Sequence, residues 1–439
     1  MSENLLPKAD AAAIDAQHKV GKMTARERVD KLLDLNSFVE IGRYVQHNSA
    51  EFGVDKQAPG DGVVAGYGTV DMRPVYVYAQ DFTAFHGSLG AKNAEKIAKV
   101  YEMAVKNGVP VVSILDSAGA RLQDGMAALD GYAKVMKCAA QASGVVPQIA
   151  LVAGPCIGSN ALIAQLADFV FVVEKTGTIS VNGAQILASM TGNDITPQSL
   201  GGADAAMDSG LADFVCANEE QALVSMRNLL NILPGNNMED APYALETQDD
   251  FNRSAVVGED IDASVASIVD NGSLVEVKAG YGKGMLTALA ALGGKAVGII
   301  ANRGKVDEGR LDLYGCAKAA GFLRFCDSFS IPVVSFLDTA GFALSVQQEE
   351  NGLAKEIAGL AYAYAEATVP LISVVAGKAV GGAYAVMGSH GIGADMVYAY
   401  PDAVIAPLNA EAAVEILDEA LLRKADNPVA RRQELEEEY

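Results

Sequence analysis

Two short stretches of this 439-residue chain have the make-up of main-chain anion sites. They are Gly154-Pro155-Cys156-Ile157-Gly158-Ser159 and Gly377-Lys378-Ala379-Val380-Gly381-Gly382-Ala383. Each follows an apolar, strand-like run and leads into a helix-forming one. The first N–H groups of a helix lack partners within it and point out of its end, where the helix dipole favours negative charge. Glycine lets a ligand oxygen approach the main chain closely. Two such N–H groups make an oxyanion hole, and removing one donor costs roughly 3–4 kcal/mol. That equipment suits a reaction passing through an enolate or another carbonyl-derived anion. The competing reading is that Gly381 and Gly382 only allow close helix–strand packing. A matching turn elsewhere in the chain favours the site.

Side-chain machinery is missing from the usual patterns. His18, His47, His86 and His390 fall in no triad or metal-ligand spacing, and no metal is expected. Neither a GxSxG elbow nor a GxxxxGK[ST] phosphate loop occurs. Asp116 and Asp338 each end an apolar run and either act as acids or cap the turn that follows. Arg121 is either a receptor for phosphate or carboxylate or a buried structural arginine. The cysteines, Cys138, Cys156, Cys216, Cys316 and Cys326, form no CxxC and read as free thiols of a reducing compartment. The first residues carry acids and no apolar core, unlike a signal peptide, so a cytoplasmic location is expected. The net charge of 33 − 55 = −22 argues against nucleic acid and anionic membranes as partners.

The elements that must position these turns occur twice. Pro110 and Asp116 recur as Pro332 and Asp338, offset by 222 (332 − 110; 338 − 116). Val146-Pro147 recurs as Val369-Pro370, offset by 223 (369 − 146). A third echo pairs Ala65-Gly66-Tyr67-Gly68 with Ala279-Gly280-Tyr281-Gly282. Matched blocks in one order predict the same domain twice. The predicted domains are residues 1–240 and 255–439, with a turn-rich, acidic linker from Leu233 to Gly258. A helical arm is predicted before residue 36, with Thr24 and Glu27 placed as a capping box ahead of Val29, Leu32 and Leu33. In the first domain, apolar runs predict strands at Val75–Tyr78, Val111–Leu115, Ile149–Val152 and Phe169–Val173. Helices are predicted over Ala91–Lys106 and Met126–Gln141, in a βαβ rhythm. The second domain repeats the plan. Strands are predicted near Leu274–Val277, Ala296–Ile300, Val333–Leu337 and Ile372–Val375, with helices at Gly315–Asp327 and Leu353–Thr368. The charged Arg431–Tyr439 reads as an exposed helix.

Longer motifs give the chain a resemblance. TARERVDKLLD (24–34), DGVVAGYGTV (61–70), AQDFTAFHGSLG (79–90), DSAGARLQDG (116–125) and SGVVPQIALVAGPCIG (143–158) are joined by EVKAGYG (276–282), FCDSFSIPVVSFLDTAGF (325–342), VQQE (346–349), YAEATVP (364–370) and GGAYAVM (381–387). Together they resemble the carboxyltransferase subunits of biotin-dependent acyl-CoA enzymes, in the crotonase superfamily. That family includes propionyl-CoA carboxylase β subunits, the large transcarboxylase subunit and the carboxyltransferase subunit of methylmalonyl-CoA decarboxylase. The resemblance implies an α/β fold of tandem crotonase-like domains, each a ββα-repeat spiral. It implies that the first domain binds acyl-CoA and the second binds biotin on a separate carrier protein or domain. By that resemblance the turn at Gly158 and Ser159 holds the thioester oxygen. The turn at Gly382 and Ala383 holds the ureido oxygen of biotin. Gly119, Ala120, Gly341, Phe342 and Ala385 line the substrate sites. Biotin N1′, rather than a protein side chain, takes the α-proton. The family's site lies between the first domain of one subunit and the second of its partner, in a hexamer built of dimers.

The sequence departs from the family at several points. Gly158-Ser159 stands where Gly-Gly is usual, with Asn160 next. Gly377, Val380 and Ala385 replace an Arg, a Tyr and an Asp, and Ala340 replaces a Pro. The Ala385 position lies beside the acyl group in the family and influences acyl size. The family usually continues for a further helix, strand and turn beyond the point matching Tyr439, so a partner completes the fold, the branch diverges, or the sequence is short. Three functions follow: a carboxylase or transcarboxylase subunit working with a biotin carboxyl carrier protein and a biotin carboxylase subunit; the reverse half-reaction beside a membrane decarboxylase subunit; or a non-catalytic assembly protein that kept the fold.

Overall fold

A computed structural model describes residues 10–47, 58–242, 249, 253–256, 260–425 and 427–438. The chain divides into two compact units. One is Met1–Pro242 with Lys278–Tyr281, and the other is Tyr243–Val277 with Gly282–Tyr439. Part of the expected linker, 243–248, 250–252 and 257–258, lies outside the described residues, as does Tyr439. Its first part is not a linker: Leu233 is fully buried in the first unit, and Asn237 N–H donates to the Val145 carbonyl.

In the first unit a hairpin, Val63–Val70 and Arg73–Gln80, turns at Asp71 and Met72, both with positive φ. That conformation gives the turn the twist a two-residue hairpin requires. Parallel strands follow at Val111–Ser117, Gln148–Ile157 and Phe169–Val173, each reached by a helical or turn crossover. The crossover helices Ala91–Asn107 and Met126–Ala142 are amphipathic, and the first stops at the left-handed Gly108. Val111, Val112, Ile114 and Leu115 are at most 1% exposed, which explains an apolar run without alternation.

The second unit repeats this plan. The hairpin Met285–Leu292 and Lys295–Asn302 turns at the left-handed pair Gly293-Gly294. Parallel strands follow at Val333–Thr339, Leu371–Val380 and Met396–Ala399, with helices Leu313–Ser328 and Leu353–Glu366 as crossovers. Even the buried lysines recur. Lys96 donates to the carbonyl of Val63 and Lys318 to that of Met285, each the first residue of its hairpin.

The third echo proves to be out of register. Ala65–Gly68 lies inside a hairpin strand whose true counterpart is the strand beginning at Met285. Ala279–Gly282 instead follows the short strand Val275–Glu276, as residues 41–44 follow Val39–Glu40. Both short strands pair antiparallel with the first hairpin strand. The identity of four residues hides different backbone states.

Candidate functional site: two matched strand ends

Each unit breaks its central strand pair at the same place. Leu115 pairs with Val152, but Ser117, two residues on, pairs with Cys156, four residues on. In the second unit Leu337 pairs with Val375 and Thr339 with Ala379. The two extra residues open a bulge, and an aspartate fills it. A Cβ on Gly154 would collide with the Asp116 carboxylate, and one on Gly377 with that of Asp338. Both aspartates are therefore parts of the scaffold rather than exposed acids.

Beyond the bulge the strands end in the predicted glycine turns. Gly158 has φ 67° and ψ −133°, and Gly381 has φ 65° and ψ −149°. Only glycine occupies this region readily. Helices Ser159–Gln165 and Gly382–Val386 start immediately after. The structure moves one assignment by a residue. Gly158 N–H already donates to the Ser180 carbonyl at 3.0 Å, as Gly381 N–H does to Ala406 at 2.9 Å. Gly158 is thus the counterpart of Gly381, and it shapes the turn without offering a donor. Among the described residues, the N–H groups of Ser159 and Asn160 have no acceptor, and neither do those of Gly382 and Ala383.

A second loop closes against each turn. A Cβ on Gly119 (φ 112°) would lie 3.9 Å from the Ile157 carbonyl, and one on Gly341 (φ 124°) equally far from that of Val380. Gly119 N–H is held by Ser117 Oγ and Gly341 N–H by Thr339 Oγ1, both at 3.1 Å. The flanking N–H groups of Arg121 and Ala343 donate to Leu89 and Leu311. This leaves Ala120 N–H and Phe342 N–H without an acceptor among the described residues. Each unit therefore brings donors from two adjacent strand ends, at the carboxyl edge of parallel strands where α/β sheets bind ligands. Sequence reasoning reached the glycines but not this division between bonded and open N–H groups, which depends on partners distant in the chain.

The surroundings of the two turns differ. Asp116 is fully buried among Lys22 Nζ (2.7 Å), Arg28 Nη1 (2.9 Å) and Gln17 Nε2 (3.1 Å). Arg28, also fully buried, grips Glu219 through Nε (2.8 Å) and Nη2 (2.7 Å). Burial opposes the charge on Arg28, but Glu219 and Asp116 outweigh it and raise its pKa. Burial lowers that of Lys22 despite Asp116. The arm predicted from the Thr24–Glu27 capping box is thus anchored on its own unit. Arg121 is structural too: it is 3% exposed, pairs with Asp61 at 2.6 Å and lies 4.7 Å over the Phe85 ring. In the second unit Asp338 accepts the N–H of Lys378 at 2.9 Å, and the exposed Lys378 Nζ lies 3.6 Å from Glu308. There Phe342 crosses the turn, and a Cβ on Gly382 would lie 2.8 Å from its ring. Ala385 is exposed on the short helix that Gly382 begins.

All five cysteines are free and buried. Among the described residues no helix is long and apolar enough to cross a membrane.

The model of the carboxyl transferase domain matches residues 16–439. The propionyl-CoA carboxylase carboxyltransferase subunit of Haloferax mediterranei is 44% identical, over 97% of this chain and 85% of that protein. The methylmalonyl-CoA decarboxylase subunit alpha of Veillonella parvula is 44% identical over 92% of this chain and 82% of its own length. The crystal structure of the transcarboxylase 12S hexamer, with methylmalonyl-coenzyme A and methylmalonic acid bound, superposes with a TM-score of 0.93 at 41% identity. The match covers 98% of this chain and 85% of that one.

Proposed function

The chain belongs to the carboxyl transferase domain family, as a carboxyltransferase of the propionyl-CoA carboxylase and transcarboxylase kind, and from that premise we propose how its two turns divide the reaction. The first unit holds the thioester oxygen of a short acyl-CoA, propionyl- or methylmalonyl-CoA, between the N–H groups of Ser159 and Ala120, with Asn160 N–H alongside. The second holds the ureido oxygen of carrier-borne biotin with the N–H groups of Gly382, Ala383 and Phe342. The observation that carries this reading is the recurrence of the same open donors at the same bulged strand ends.

When bound, biotin supplies the carboxyl group and, at N1′, the acceptor for the α-proton. The residues present fit it: the open donors face a turn whose residue 382 has no side chain, and a Cβ there would crowd Phe342. The protein's part is electrostatic. Loss of the α-proton or of the carboxyl group puts negative charge on the thioester oxygen, and preformed N–H dipoles stabilise it without reorganising. The buried carboxylate of Asp116 stays paired to Lys22 and Arg28 and takes no part. Because the same anion forms in both directions, one set of donors serves carboxylation and decarboxylation alike. Relatives named for each activity agree with that. Ala385 leaves room beside the acyl group. The subunits act as an oligomer in which the first unit of one copy serves the second of another.

Carboxyl transfer followed by mass spectrometry, from carboxybiotin to a panel of acetyl-, propionyl- and longer acyl-CoA, tests the proposal. Transfer is expected, with propionyl-CoA preferred, and CoA species should bind where free acids do not. A folded protein that binds no CoA species and transfers nothing would make it an assembly protein.

A further inference from the structure

The turn carrying Ser159 is tied to its unit by an amide pair that the reaction above does not use. Gln80 ends the strand Arg73–Gln80, and Asn160 is the second residue of the helix Ser159–Gln165. Their side chains are 1% and 0% exposed. Gln80 Nε2 donates to Asn160 Oδ1 at 3.1 Å, and Asn160 Nδ2 donates to Gln80 Oε1 at 3.1 Å. The orientation is forced. Gln80 Oε1 also accepts Asp116 N–H at 3.2 Å, so that atom must be the oxygen, and Asn160 must turn its NH₂ towards it. Asn160 Nδ2 further meets Cys156 Sγ at 3.5 Å. One buried network thus joins three strand ends to the helix whose first N–H groups are open.

The second unit has the register without the link. Asn302 ends its strand where Gln80 does, and its Oδ1 accepts Asp338 N–H at 3.3 Å. Its Nδ2 has no partner among the described residues, and Ala383 occupies the place of Asn160.

We propose that Gln80 and Asn160 are positioning residues of the thioester-side hole, fixing the direction in which the Ser159 and Asn160 N–H groups point. This rests on the reading of that turn as the thioester-oxygen site. A satisfied buried amide pair rigidifies what it joins. Misplacing a reacting group by an ångström costs on the order of 10²-fold, so a partial loosening should cost less. The ureido side reaches its geometry by packing against Phe342 instead.

The test compares two ligands on the full-length oligomer. One is propionyl-CoA. The other is a nitro analogue whose nitronate mimics the enolate in shape and charge. Gln80→Met and Asn160→Leu remove the pair at nearly constant volume. If the unmodified protein does not bind the nitronate more tightly than the thioester, the hole reading itself fails, whatever the amides do. Given that preference, both variants should lose about tenfold in nitronate affinity and in kcat, while the propionyl-CoA Kd and the KM for carrier biotin move less than about twofold. Equal loss for both ligands with a lower Tm would mean a merely structural pair and would overturn the proposal, as would an intact nitronate preference. Gln80→Asn, which keeps the amide but withdraws it by one methylene, should lose the preference as well, and it serves if the apolar variants do not fold. Asn302→Leu in the other unit should leave the preference in place; a matching loss there would also overturn the assignment.

Discussion

The two strand-end turns share a backbone but not a support. Gly158 and Gly381 have nearly the same dihedral angles, and each follows the same bulge filled by an aspartate. The first turn is held from below by buried charge: Asp116, Lys22, Arg28 and Glu219, reached through an N-terminal arm. The second has no such arm among the described residues, and Asp338 is satisfied by a neighbouring main-chain N–H. One donor geometry can therefore be maintained by ion pairs on one side and by an aromatic ring on the other. In the division of labour proposed above, the shared part stabilises the oxyanion, and the unshared part is free to specialise, one side for a CoA thioester and the other for the carrier's biotin.

The largest expected break in this comparison is in stability. Arg28→Met leaves Asp116 and Glu219 buried beside a missing cation and should cost roughly 3–5 kcal/mol. Asp338→Asn, its opposite number in effect, should cost less than about 1 kcal/mol because an amide oxygen still accepts the Lys378 N–H. Urea unfolding of both variants measures the gap, and equal losses would show that the arm does not lock the first unit.

Next in size is the loss of a hole. Gly382 lies outside the positive-φ residues, so Gly382→Val is compatible with its backbone, but the new side chain occupies the donor face and displaces Phe342. Carboxyl transfer should fall by roughly 10²-fold or more with Tm nearly unchanged. Retained activity in the folded variant would make the turn structural only.

A smaller effect separates the units by pH. Burial pushes the carboxyl of Asp168 up to about 7 from 3.8, against the pull of the Gln148 N–H, with the Asp213 carboxylate adding to the rise. The folded state therefore binds more protons than the unfolded one between about pH 4 and 7, and stability falls as pH rises through that window. Asp168→Asn removes the slope. Its Tm relative to the parent should be more favourable at pH 8 than at pH 5, and a pH-independent difference would refute the shift.

The smallest effect concerns acyl size. Ala385→Asp fills space on the second unit's short helix Gly382–Val386 and should change the ratio of kcat/KM between acetyl-, propionyl- and longer acyl-CoA by a few-fold. An unchanged ratio would place residue 385 outside the pocket.

The sequence made the duplication, the crossover helices and the glycine turns legible, because each rests on local signals. The apolar run Val111–Leu115, the Asn107-Gly108 stop and the capping box of Thr24 all reappear as strand, left-handed cap and helix start. What it hid was long-range. The strands Val63–Val70 and Met285–Leu292 carry small residues (glycines and an alanine in the first, three alanines in the second) and a threonine, and lack a strong period, so only their pairing reveals them. The role of Arg28 rests on Glu219, 191 residues away, and nothing local in the sequence points to it. The same holds for Gly158: a glycine at a helix start looks like a donor, and only Ser180, brought in by a parallel strand pair, shows that its N–H is already used.

The central claim is that each copy supplies one half of a site and that the halves meet between subunits. Subunit mixing tests it most directly. A Gly158→Val chain should have a damaged thioester turn, since valine cannot hold φ 67° without strain, and a Gly382→Val chain a damaged biotin turn. Each parent should be inactive. After exchange, a mixed dimer carries one site with both lesions and one with neither, so carboxyl transfer should return towards a quarter of the unmodified rate, given random pairing of two equal pools. If subunits exchange demonstrably and no activity returns, the two turns do not work together across subunits, and the division of labour drawn from the repeat is wrong.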